Sequence, residues 1–97
     1  MEKDARIQKL LVLLQLEKRG WVIVDHWDAD LCAVGIATAG FPRKLVYVSV
    51  LGMPDGNYYF ECESPTGAEA TEYQVTQEGN ADSIDKLLVV LERHLST

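Results

Sequence analysis

Residues 45–64 read LVYVSVLGMPDGNYYFECES, and the fold turns on how this stretch pairs with itself. Two runs rich in β-branched and aromatic residues flank Pro54-Asp55-Gly56. Proline pre-sets φ at the first central position of a turn, aspartate suits the second, and glycine takes the left-handed position that follows. This is the chemistry of a three-residue hairpin loop with a glycine bulge. Such a loop closes with Met53 opposite Asn57, which sets Val50 against Phe60 and Val48 against Cys62. Side chains alternate along a strand, so these residues share one side with Val46 and Tyr58. The other side pairs Leu51 with Tyr59, Ser49 with Glu61 and Tyr47 with Glu63. One face is apolar, and the other mixes aromatic rings with carboxylates.

Upstream of the hairpin, residues 3–19 carry Ile7, Leu10, Leu11 and Leu14 on one helical stripe. Lys18 and Arg19 complement the C-terminal dipole of this predicted helix, and Gly20 is a left-handed stop. Residues 21–27, WVIVDHW, read as a strand of ambiguous parity. Either Val22 and Val24 face the core, or Trp21, Ile23, Asp25 and Trp27 do. Residues 31–39, LCAVGIATA, read as a second strand in which Gly35 suggests a bulge or a close backbone approach. Gly40-Phe41-Pro42-Arg43 reads as the turn that follows.

Downstream, residues 64–70 read as a loop and residues 71–78 as a half-exposed edge strand. Tyr73 and Val75 lie on one side of it, and Glu72, Gln74 and Thr76 on the other. Gly79-Asn80 reads as a break. Asn80 or Asp82 can then cap a helix over residues 83–94, with Ile84, Leu87, Leu88, Leu91 and Leu95 as its apolar stripe. The expected class is α+β, a single domain over residues 1–97. Its order is helix, an antiparallel meander of four to five strands, and helix, with both helices on one face of the sheet. The second face is left to water or to a partner.

The 97 residues carry a formal net charge of −6. That balance argues against a nucleic-acid binder, which normally shows a basic stripe. The acid is concentrated: Glu61, Glu63, Glu69, Glu72 and Glu78 fall within residues 61–80, which contain no base. Such a local field steers a basic partner, although an acidic surface also serves ordinary solubility. Two cysteines, Cys32 and Cys62, are too few for a disulfide scaffold and are expected to be buried, reduced thiols. The N-terminal residues Met1-Glu2-Lys3-Asp4 do not resemble a signal segment, and the apolar run 10–14 is too short to span a bilayer. A cytoplasmic protein with no membrane association is the expectation.

Residue sets that could carry chemistry have bland counterparts. Asp25, His26, Asp28 and Asp30 are dense enough for a metal, but a zinc site needs a third ligand fixed elsewhere. A calcium loop needs its glycine and terminal glutamate, and neither is present. An acidic turn after a strand accounts for the same residues. Glu61 and Glu63 share a strand face, where an open sheet would keep them ionised and solvated rather than poised for acid–base work. His94 reads as a structural residue at a helix C-terminus, where a cation is mildly stabilised. Neither cysteine has a base nearby in the sequence. No catalytic residue, metal or cofactor is expected, and the chain reads as non-enzymatic.

Trp21, Trp27, Tyr47 and Tyr59 can lie on one face under the pairing above, and tryptophan and tyrosine are favoured interface anchors. The alternative for each tryptophan is simple burial in the core. The candidate partner-binding residues are Asp25, Trp27, Tyr47, Tyr59, Glu61, Glu63 and Glu72. In size, acidity and element order the chain resembles the small bacterial immunity proteins of polymorphic-toxin and contact-dependent inhibition systems. The stretches that carry the likeness are GWVIVDHWDADLCAVGIA and DSIDKLLVVLERHL. The resemblance implies a cytoplasmic toxin inhibitor that binds a basic toxin domain. It transfers no individual residue, because that group shares no diagnostic motif. A homodimeric interaction protein and a secretion-chaperone-like adaptor are the alternatives.

Overall fold

The computed structural model describes residues 3–24, 29–69 and 71–96. Its elements run α1 (Ala5–Leu14), α2 (Leu16–Arg19), β1 (Trp21–Val24), β2 (Ala33–Thr38), β3 (Phe41–Ser49), β4 (Tyr58–Pro65), β5 (Tyr73–Ala81) and α3 (Ile84–Leu95). The five strands form one sheet in chain order, every neighbouring pair antiparallel. This is the α+β meander that the pattern of strands and turns predicts. Among the described residues, no helix is long and apolar enough to cross a membrane.

One hydrophobic cluster organises the fold. It joins Ile7, Leu10 and Leu14 of α1 with Leu87, Leu91 and Leu95 of α3. The sheet contributes Val34, Ile36, Val46, Val48, Phe60 and Cys62, residues that the strand pairings place on one side. Both helices carry the spacing that brings their leucines onto one stripe. Asp4 caps α1 by accepting the Arg6 N–H at 2.8 Å. Ser83, extended rather than helical, caps α3 through the Lys86 N–H at 3.2 Å. The cap is thus Ser83 and not Asn80 or Asp82. Asp82 instead forms an ion pair with Lys86 at 2.8 Å.

The first helix is not continuous. Gln15 adopts φ 51° and separates α1 from the single turn of α2. The Leu14 carbonyl accepts the Arg19 side chain at 2.8 Å. Gly20 ends α2 at φ 73°, as its position predicts. Trp21 then enters the main core beneath the Arg19 guanidinium, 5.4 Å from the ring centroid. It pairs with Thr38, on the same side as Ile36, while Val24 pairs with Gly35 on the other. The strand parity is resolved in favour of Trp21 inward. Trp21 therefore does not share a face with Tyr47 and Tyr59.

The central hairpin keeps its faces but not its partners. Val48 pairs with Phe60, Val46 with Cys62, Tyr47 with Glu61 and Ser49 with Tyr59. This register is displaced by two positions from the one predicted, and a two-residue shift leaves every side chain on its original face. The connection is longer because two turns follow one another. Met53 N–H donates to Val50 O, with Gly52 at φ 71°, and Asn57 N–H donates to Pro54 O, with Gly56 at φ 81°. The Ser49 hydroxyl accepts the Leu51 N–H and starts the first turn. Upstream, β3 begins at Phe41, so the β2–β3 turn is Ala39-Gly40 and the bulge falls at Ala37/Thr38 rather than at Gly35.

The strand β5 continues through Gly79-Asn80, which the sequence reads as a break. Gly79 faces Phe60, and a Cβ built on it would lie 3.3 Å from Phe60 Cζ. A strand glycine here admits the ring rather than ending the strand. Gly79→Ala is expected to cost less than about 1 kcal/mol, because the lost room is offset by reduced chain entropy. Chemical denaturation would check this, and a larger loss would mean that the Phe60 ring cannot yield.

Candidate protein-binding face

The second face of the sheet is built by alternate residues of all five strands. Near its centre, Val24, Ala37 and Leu45 are buried with Tyr47 against them. Ala33 and Ser49 are buried as well. The expectation of a wholly open face is therefore corrected: its β2–β3 side is closed. The accessible part lies towards β5, where residues 71–78 are all exposed.

Tyr59, Glu61 and Glu78 define this accessible part. Glu61 and Glu78 are directly opposite across β4 and β5, an arrangement in which like charges repel. The Tyr59 hydroxyl joins them, donating towards Glu61 Oε2 and also lying 3.2 Å from Glu78 Oε2. A phenol has one proton to give, so the two carboxylates compete for it. This hydrogen bonding to Glu61, aided by burial and the two negative charges, holds the phenol well above its usual pKa. Tyr47 packs edge-on against Tyr59, with ring centroids 6.5 Å apart and planes at 73°. Burial raises the Tyr47 phenol too, with Asp30 and Glu61 adding to the effect.

Glu63 departs from expectation. It is only 5 % exposed, not solvated, and it pairs with Leu45 on one side and Val75 on the other. Burial raises its carboxyl pKa, and the nearby Glu61 charge raises it further. Among the described residues the ion pairs are Arg6–Asp4, Arg19–Glu92 and Lys86–Asp82, and none of them involves Glu61, Glu63 or Glu78.

Glu72 stands apart from these groups. It precedes β5, and its carboxylate accepts the Glu69 N–H at 3.1 Å. Its carbonyl accepts the Thr66 N–H and the Arg43 side chain. The residue closes the β4–β5 loop rather than standing on the sheet face. Asp25 and Trp27 lie outside the described residues, as do His26 and Asp28 of the acidic turn. Asp30 uses its carboxylate to accept the Cys32 N–H at 3.0 Å.

Glu78 is the site residue that sequence reasoning missed. Cys62 pairs with Gln77 but Glu63 pairs with Val75, so Thr76 is an extra residue in β5. Simple alternation from Tyr73 and Val75 puts Glu78 on the opposite side. The bulge at Thr76 returns it to the side of Tyr73 and Val75, beside Glu61. The only signal for this was a carboxylate at the end of an alternating run.

His94 Nε2 lies 2.9 Å from Glu63 O, and burial lowers the imidazole pKa. Cys62 is buried and its thiol is raised by desolvation, whereas Cys32 is only half-buried; both are free. Among the described residues no group of three or more His, Cys, Asp or Glu side chains could hold a metal. A groove of about 530 Å³ between the starts of α1 and α3, lined by Arg6, Lys9, Asp55 and Ser83, includes none of the predicted partner-binding residues. No protein-family model, no curated protein and no solved structure matches this chain.

Proposed function

We propose that the protein is a non-enzymatic binding module that docks a basic protein partner on the Tyr47–Tyr59–Glu61–Glu78 side of its sheet. The supporting observation is the Glu61–Glu78 pair: two opposed carboxylates share one phenolic proton and form no ion pair with a described lysine or arginine. Keeping like charges in register costs stability, and a partner cation removes that cost on binding. The adjacent tyrosines supply rigid contact area at low entropic cost. Among partner classes, a basic toxin domain of the kind neutralised by small acidic immunity proteins fits this chemistry. The protein would then act in the cytoplasm as an inhibitor.

The test begins with the purified product of the adjacent reading frame and its affinity for this protein. Association should slow and weaken as salt is raised, because surface charges are screened. Glu61→Lys combined with Glu78→Lys should weaken the complex by about 100-fold or more. A single reversal on the helical side, Glu92→Lys, should change it less than about threefold, as expected for a charge remote from the interface. Equal losses from both variants, or none from the first, would move the interface elsewhere.

A further inference from the structure

Resting on that reading, we infer that the outer edge of β5 takes an extended, basic segment of the partner as a sixth strand, with a lysine or arginine directly opposite Glu78. β5 is terminal in the sheet and nine residues long, against four for β1 at the other edge. Strand edges are usually guarded by lysine, proline or inward charge, since their free N–H and C=O groups template further pairing. Residues 73–81, YQVTQEGNA, contain no lysine, arginine or proline. The guard present is the bulge at Thr76, whose hydroxyl turns back to Cys62 O. It interrupts the edge and leaves residues 77–81 as an unbroken run on one side. Glu78 sits in that run.

Charge then selects the occupant. Gly35, Tyr47, Glu61 and Glu78 are successive cross-strand neighbours in one row. The next place in the row lies just outside β5. A cation there faces Glu78 at the separation of directly opposed residues and relieves its repulsion with Glu61. A guanidinium or ammonium also supplies the donors that the single Tyr59 proton cannot. A second copy of β5 cannot do this, because β5 contains no basic residue to set against Glu78. Added strands gain affinity from main-chain hydrogen bonds and specificity from alternate side chains, which suits a segment of alternating basic and apolar residues.

The probe is a short acetylated peptide alternating lysine and valine, with a glutamate–valine peptide as its mirror in charge. Saturating lysine–valine peptide should slow amide hydrogen exchange of the intact protein by about tenfold or more at the alternate amides of residues 77–81 that point away from β4. Glu78→Lys should raise the Kd for this peptide by at least about tenfold, and should bind the glutamate–valine peptide better than the parent protein does. Three results would overturn the inference. In one, peptide binding shifts Tyr47 and Tyr59 resonances but leaves exchange along β5 unchanged; face docking then stands without strand addition. In another, sedimentation finds a dimer that protects the same β5 amides without peptide. In the last, neither peptide binds.

Discussion

Leu91→Ala should lower stability by about 2–5 kcal/mol, the range for truncating a fully buried leucine. Leu91 is 0 % exposed and lies in the cluster that joins α3 to α1 and the sheet. The loss has two parts. The removed methyl groups forfeit their transfer free energy, and the cavity left behind costs more because packed neighbours relax only partly. Domains of this kind are stable by only about 5–15 kcal/mol, so the substitution removes a large share. A fall in Tm of at least about 8 °C is expected for a chain of this size. Val89 lies on the same helix but is 47 % exposed, and Val89→Ala should change stability by less than about 0.5 kcal/mol. Guanidinium melts of both variants make the comparison. Equal effects would mean that α3 does not dock through the Leu87–Leu91–Leu95 stripe.

That stripe was legible because helical spacing and burial agree along α3. The faces of the central hairpin were legible for a related reason. Strand side chains alternate with period two, so a register displaced by two positions still assigned Val46, Val48 and Phe60 to the core. What could not be read was anything set by an odd displacement. The extra residue at Thr76 moves Glu78 from one face to the other, and nothing about a threonine in a polar strand announces it. The turn at Gly52 was obscured by the stronger Pro54-Asp55-Gly56 signal that follows it. Gly79 reads as a break in the sequence, whereas in the fold it leaves room for the Phe60 ring. The candidate site suffered most, since its membership depends on the β4–β5 register. Tyr47, Tyr59 and Glu61 were found by alternation alone; Glu78 required the bulge, and the burial of Glu63 required both of its flanking strands.

Glu63→Gln should raise Tm at pH 7, and the gain should vanish in acid. Glu63 is buried between Leu45 and Val75, and both burial and the Glu61 charge lift its carboxyl pKa above the ordinary value of 4.5. A folded-state pKa above the unfolded one means that the native protein favours the protonated form. The associated stability is fully present below the unfolded pKa and is lost as pH rises through the raised, folded one. At neutral pH the ionised carboxylate therefore works against folding, by about 1.4 kcal/mol for each tenfold drop in its acid dissociation constant on folding. Glutamine has nearly the same shape and no charge, so it lacks this penalty at every pH. Tm measured from pH 3.5 to 7.5 should show the two proteins converging at the acid end and separating as pH rises. Taking the difference between them cancels Asp4 and Asp82, whose pKa values are lowered by Arg6 and Lys86 and which act in the opposite sense. Glu61→Gln should shrink the gap, because it removes the neighbouring charge that helps raise the Glu63 pKa. A gap that does not depend on pH would mean that Glu63 is not held against its charge. A gap that follows the expected course, and narrows when a basic partner is bound, would tie the destabilised carboxylate to the face that the partner occupies.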